Sequence, residues 1–168
     1  MSLAPQPARR GRTLTAALVA ALAFGCGGTE PPVVWAASID GPDVVSPGSV
    51  VRVRIDARPT RPWYFYSLTQ PAGGPIPARI WLADSATFAP AGPVTGPRPT
   101  TSFDNTFGIN VEKYSSAASF IFPVRVSPAA RRARGEIRVG ALYQACNDTI
   151  CLSPREVTLT VPVKIAPR

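Results

Sequence analysis

Between Val51 and Ala57 the chain alternates without a fault: Val51, Val53, Ile55 and Ala57 are apolar, while Arg52, Arg54 and Asp56 are charged. Successive side chains of an extended strand point to opposite faces, so a period of two predicts a half-buried strand with its odd positions inward. Similar short segments recur along the chain. Val33 to Asp40 predicts a first strand, ended by Gly41-Pro42, and Ser46-Pro47-Gly48 is a turn signal before the second. Trp63 to Leu68 is a dense aromatic strand, and Arg79 to Leu82 a short one. From Phe120 to Val126 the even positions are apolar, with Pro123 suggesting an edge or a bulge. Ile137 to Tyr143 and Val157 to Ile165 complete the set.

From Ala83 to Ala117 the pattern lapses, with Ala89-Pro90-Ala91-Gly92-Pro93 and Gly96-Pro97-Arg98-Pro99 in the middle. Long stretches of this kind tend to be lids, binding loops or linkers. Seven short strands punctuated by glycine and proline predict an all-β protein, a two-sheet sandwich of immunoglobulin-like size. No helix longer than a turn or two is expected, and there is no internal repeat.

At 168 residues the chain suits one domain with its own core. Its formal charge is +8, but Arg9, Arg10 and Arg12 lie in an N-terminal leader; without them the balance is +5, 15 basic against 10 acidic residues. Only Arg131-Arg132-Ala133-Arg134 is dense in positive charge, and it falls where a turn is expected, so it reads as a solvated loop. No nucleic-acid partner is expected without a basic stripe. Histidine is absent, which excludes Ser-His, Cys-His and HExxH chemistry. With three cysteines and no histidine, a tetrahedral zinc site would need a carboxylate or solvent ligand, so neither metal nor cofactor is expected.

Residues 1–25 combine a basic start with an apolar run from Leu14 to Phe24. That run is too short for a mature membrane span, which needs about 20 residues. A charged start, a short apolar middle and small residues before a break make an export signal. Cys26 follows directly, and Leu22-Ala23-Phe24-Gly25-Cys26 resembles a bacterial lipobox, in which the cysteine is acylated and becomes the new N-terminus. Residues 26–32 would then tether the lipid to a domain at 33–168. The other reading is a plain secretory signal cleaved near Ala36-Ala37. Either way the domain is exported, to surroundings where disulfides persist.

The remaining cysteines stand close together in Tyr143-Gln144-Ala145-Cys146-Asn147-Asp148-Thr149-Ile150-Cys151-Leu152-Ser153-Pro154. Strand, short loop, strand is the natural reading, and such a hairpin can bring two Cα atoms to roughly 4.5–6 Å, the spacing of a disulfide. Ile137, Val139, Ala141, Tyr143 and Ala145 share one face of the entering strand, and Cys146 falls on the other. A bridge that only staples a fold more often ties sheets through the core, whereas a redox couple must be reachable by another thiol. A bridge across so small a loop also stabilises less than one across a domain. Staple and working couple both remain open on these grounds.

The segment from Tyr143 to Pro154, with Glu156 and the last strand, resembles the N-terminal periplasmic domain of the thiol:disulfide interchange protein DsbD. That family carries Tyr-Gln-small-Cys, a short polar insert, Cys, an apolar or aromatic residue and Pro. The Trp63-Tyr64-Phe65-Tyr66-Ser67 strand, with its flanking Tyr64 and Tyr66, is similar to the family's aromatic strand. The resemblance spans roughly residues 35–166 and implies an immunoglobulin-like sandwich. It also implies a domain that relays reducing equivalents to periplasmic disulfide proteins through Cys146 and Cys151. By position Cys151 would engage the partner and Cys146 would resolve the mixed disulfide. Asp148 and Glu156 would disfavour a nearby thiolate, and Arg155 would favour it.

Phe103-Asp104-Asn105-Thr106-Phe107-Gly108 is similar to the aromatic-tipped cap that shields the cysteines in this family. Asn105 stands where an acid is usual, Thr106 where an aromatic is usual, and Phe107 replaces a tyrosine. Asp104 would then handle a proton; the other reading is that Phe103 or Phe107 merely plugs the edge of the core. The chain as given ends at Arg168, so its reductant is expected to be a separate membrane reductase. Its own tie to the membrane would be the lipid on Cys26, on the periplasmic side.

Overall fold

The computed structural model describes residues 30–83, 86–131 and 133–167. The expected signal segment, Cys26 and most of the tether lie outside them. Pro31 and Pro32, assigned to the tether, are already docked: their carbonyls accept the Thr60 hydroxyl (3.1 Å) and the Thr60 N–H (2.9 Å).

The described residues form no helix. They make β1 (Val33–Ile39), β2 (Val44–Val45), β3 (Val50–Pro59), β4 (Tyr64–Tyr66), β5 (Arg79–Leu82) and β6 (Phe88–Pro90), followed by β7 (Thr100–Asp104), β8 (Ile109–Tyr114), β9 (Ala118–Val126), β10 (Ala133–Tyr143), β11 (Ala145–Cys146) and β12 (Arg155–Ile165). Two four-stranded sheets, β1-β3-β9-β6 and β2-β12-β10-β5, form the sandwich. A third, β11-β4-β8-β7, is laid against them. Pairing is antiparallel apart from the short β2–β12 contact.

The alternation in β3 plays out as the sequence predicts. Val51, Val53, Ile55 and Ala57 are buried, and Arg52 and Arg54 are exposed. The even positions of β9 face the same core: Phe120, Phe122, Val124 and Val126 meet Ile137 and Val139 of β10 and Val161, Val163 and Ile165 of β12. Each such side chain contributes roughly 1.5–3 kcal/mol when fully buried. Trp35 lies among the rings of Phe65 and Tyr143, each 5.4 Å away, and stacks on Phe120 at 6.4 Å.

Three local expectations need correction. Strand β9 lies between β3 and β6, so Pro123 is on an inner strand, not an edge. Ile121 exchanges backbone hydrogen bonds with Thr95 (2.8 and 3.0 Å), and by alternation Pro123 turns its backbone to that same side. Its absent N–H therefore faces the irregular chain at 91–94 and not the β3 ladder. The second correction concerns 83–117, which carries β6, β7 and β8. Between them the chain is pinned to the core: Thr95 bridges Ile121, the Tyr114 hydroxyl donates to the Pro97 carbonyl (2.7 Å), and any side chain at Gly96 would collide with the Phe120 ring. Third, β10 begins at Ala133, so Arg134 is an exposed strand residue; Arg131 remains in the turn.

The third sheet has two different faces. Its inner side gives Phe65, Tyr114 and Ala145 to the main core. Its outer side carries a separate cluster of Tyr66, Val111 and Cys146, with Tyr64 and Ile109 packed against it. The cysteines belong to that second cluster.

Candidate functional site

Strand β10 runs straight to Tyr143, whose ring is buried in the main core. Gln144 then shifts the chain from one sheet to the next. Its side-chain carbonyl accepts the Ile76 N–H (3.3 Å), and its amide donates to the Leu152 carbonyl (3.1 Å). One residue thereby ties the 71–77 loop to the return leg of the cysteine hairpin. In β11, Ala145 then pairs with Phe65 and Cys146 with Tyr64.

Cys146 and Cys151 form a disulfide with sulfurs 2.01 Å and Cα atoms 4.0 Å apart. They are directly opposite, and the hydrogen bonds lie on either side of them: Leu152 N–H to Ala145 O (2.8 Å) and Asn147 N–H to Ile150 O (2.9 Å). That is a non-hydrogen-bonded antiparallel pair, the closer of the two kinds. The loop turns without glycine because Asn147 supplies the missing acceptor. Its Oδ1 takes the N–H groups of Thr149 and Ile150, both at 2.8 Å. This is an Asx turn. It leaves the Asn147 carbonyl to accept the Tyr64 hydroxyl (3.2 Å).

The two sulfurs live in unlike surroundings. Cys146 is 0% exposed, enclosed by the cluster on the outer face of the small sheet. Cys151 is exposed, beside an exposed Ile150 at the loop tip. The first cysteine does lie away from the main apolar core, on the face opposite Ala145. It is buried all the same, in a cluster that single-strand alternation does not reveal.

Tyr64 and Tyr66 form an edge-to-face pair, centroids 5.7 Å apart. Burial pushes the Tyr66 hydroxyl far above the usual phenol range, and the neighbouring Tyr64 adds to the rise. Burial also raises Tyr64; its hydrogen bond with Tyr66 opposes this, and the negative charges of Asp148 and Asp104 reinforce it. Below them, the Glu112 carboxylate accepts the hydroxyls of Ser67 (2.6 Å) and Thr69 (2.5 Å), and its backbone N–H donates to Gln70 Oε1 (2.7 Å). These bonds continue the ladder where β4 stops.

The segment expected to form a cap is the β7–β8 hairpin turn. Asp104 pairs with Ile109, its Oδ1 accepts the N–H groups of Thr106 (2.8 Å) and Phe107 (3.3 Å), and its carbonyl accepts that of Gly108 (2.8 Å). Gly108 has φ 67°, the left-handed region where glycine is favoured. Register assigns the faces: Phe103 opposes Asn110, while Asp104 opposes Ile109 of the cysteine-side cluster. Asp104 is therefore on the face of Cys146, and Phe103, 61% exposed, is on the opposite one. Phe107, on the turn, is 39% exposed. Phe103 is thus largely in solvent, whereas more than half of Phe107 is covered.

The sequence alone does not reveal Asn147, Gln70 and Val111. Asn147 carried a usable signal, since Asn before a tight turn favours this side-chain closure. The others lie in stretches with no periodicity.

The family model of the N-terminal domain of the thiol:disulfide interchange protein DsbD matches residues 39–162. The chain belongs to this DsbD N-terminal domain family. The match spans both layers of the sandwich, the small sheet and both cysteines. Among solved structures, the N-terminal periplasmic domain of ScsB from Proteus mirabilis is similar at 15% identity and TM-score 0.47 over 76% of this chain. The chain spans only 44% of that structure's length. A family 123 glycoside hydrolase from Clostridium perfringens aligns with TM-score 0.40 and 9% identity, over 82% of this chain and 28% of its own. The major pilin BcpA of Bacillus cereus gives 0.35 and 10%, over 80% and 40%. Likenesses this distant add nothing to the family match. No curated protein matches the chain.

Proposed function

We propose that this domain carries out thiol–disulfide exchange outside the cytosol, passing reducing equivalents from a separate membrane dithiol reductase to exported disulfide proteins. The observation that carries this reading is the asymmetry of the pair, with Cys151 exposed and Cys146 buried beside it. In the reduced domain the Cys151 thiolate attacks one sulfur of a partner's disulfide. The partner's S–S bond breaks, its second sulfur leaves as a thiolate, and a mixed disulfide forms. Cys146, deprotonated, then attacks Cys151 Sγ, releasing the partner as a dithiol and closing the Cys146–Cys151 bond. Two electrons pass to the partner, and the reductase restores the dithiol by the same chemistry in reverse.

The hairpin's own bonds support exchange over a purely structural staple. Asn147, Gln144 and the Tyr64 hydroxyl tie the loop by hydrogen bonds that do not involve the sulfurs. Closing so short a loop contributes only about 2 kcal/mol. In this reading Asp104, on the face of Cys146, takes up the proton of the buried thiol, and the Phe107–Gly108 turn is the movable part of the cap. Phe103, facing away, serves the edge of the sheet. The same reading has the domain exported and lipid-anchored at Cys26. Its support is the basic start and apolar run of residues 1–25; a Cys26→Ala chain should lose its partition into detergent.

Trapping tests the assignment. A Cys146→Ser variant should accumulate mixed disulfides with exported proteins, because Cys151 can attack and nothing resolves the product. Cys151→Ser should trap none. Equal trapping by both variants, or by neither, would count against the relay.

A further inference from the structure

We infer that Lys113 is a positioning residue for the cysteine pair: its ammonium, held over the Tyr64 ring, favours the thiolate form of the attacking sulfur. The inference deepens the exchange reading above and rests on it. Cys146 opposes Tyr64, and Tyr66, two residues on, opposes Lys113. Residues two apart on a strand share a face, so Cys146, Tyr64, Tyr66 and Lys113 all lie on one side of the small sheet. The Lys113 Nζ is 4.5 Å from the Tyr64 ring centroid, within the range of a cation–π contact. Among the described residues Lys113 makes no salt bridge, so no carboxylate cancels its charge at contact range.

The other charges around the pair have the opposite sign. Asp104 of β7 lies on the same face, Asp148 sits in the cysteine loop, and both act on Tyr64. Glu112 belongs to the other face and is held by Ser67 and Thr69. Arg155 and Glu156, of opposite sign, open β12 beyond the pair. On the cysteine face, the strand residues Thr100, Ser102 and Asp104 of β7, Ile109, Val111 and Lys113 of β8, and Tyr64 and Tyr66 of β4 include one cation. Two carboxylates alone would hold a thiol protonated at neutral pH, since a neighbouring negative charge disfavours the thiolate. Lys113 offsets them. The Tyr64 ring under the ammonium stands opposite Cys146, whose sulfur is joined to that of Cys151 in the disulfide. Across about 10 Å, at the effective dielectric of about 20 found near a protein surface, a unit charge shifts a thiol pKa by about one unit.

The test is the pH dependence of iodoacetamide alkylation of the reduced full chain, with Cys151 followed by mass spectrometry. In Lys113→Met the alkylation midpoint should rise by about one unit, a roughly tenfold loss of thiolate at neutral pH. Lys113→Gln should do the same, and Lys113→Arg should return the midpoint to that of the natural chain. An unchanged midpoint in the Met and Gln variants overturns the inference, as does a rise in Arg equal to theirs, which would show that packing and not charge is at work. Alkylation needs no redox partner. A natural chain that reduces no protein disulfide, while Lys113→Met still shifts the midpoint, would sink the exchange reading and leave the Lys113 effect standing.

Discussion

The sandwich body and the small outer sheet are held by different means. In the body, strands as long as β10 and β12 zip together over eleven paired positions, and their inward side chains share one apolar core. In the outer sheet, β11 has two residues and β4 three, and side chains replace much of the missing ladder. Asn147 closes a turn, Gln144 bridges two loops, Gln70 extends β4, and a disulfide spans a five-residue separation. The lesson concerns where chemistry can sit. The disulfide sits in the layer that has its own side-chain hydrogen bonds, outside the core that holds the body together.

That contrast can be broken most severely at Phe120. Its ring is 0% exposed, between Trp35 and Tyr114. Phe120→Ala should cost about 3–5 kcal/mol, seen as a lower urea midpoint, while the reduction potential of the remaining folded protein stays put. A shifted potential would show that the body does steer the sulfurs.

Alkali should attack both regions together. Burial raises the pKa of Tyr64, Tyr66, Tyr114 and Tyr143, which are all the tyrosines of the chain. Because the folded values lie above the unfolded one near 10, the stabilisation is complete below about pH 10 and is lost as pH rises towards the folded values. Tyrosinate absorbance should therefore stay flat through pH 10 and appear only as circular dichroism reports unfolding. An early phenolate signal in the folded state would mean looser packing than described.

Replacing both cysteines of the pair by serine should cost about 2 kcal/mol and leave the fold intact by circular dichroism. Collapse of the domain would reverse the comparison and make the bridge a staple. The smallest effect belongs to Gln144→Ala, about 1 kcal/mol. It should appear as faster hydrogen exchange at the Ile76 amide with the sandwich amides unaffected.

How much of this was legible follows from the same contrast. Long half-buried strands announce themselves: the odd positions of β3 and the even positions of β9 alternate because one face meets the core and the other meets water. The cysteine hairpin was legible for a similar reason, lying between two such strands with Tyr143 and Ala145 marking the inward face. The 83–117 region was not. Its strands are fixed by backbone pairing, by Gly96 against Phe120 and by the Tyr114 hydroxyl on Pro97, none of which leaves a period in the side chains. With no strand assigned there, nothing in the sequence showed that Phe103 and Asp104 must face opposite ways. The cluster around Cys146 was hidden too, since Tyr66, Val111 and Cys146 come from three short strands far apart in the chain.

If the domain exchanges disulfides, the bond between Cys146 and Cys151 must open readily in the folded protein. Equilibration of the intact protein with thiol–disulfide buffers, followed by quantifying free Cys151, gives its reduction potential. A value between about −120 and −230 mV, the range of proteins that trade disulfides outside the cytosol, is predicted. A value below about −300 mV, the mark of a structural bridge, would contradict it.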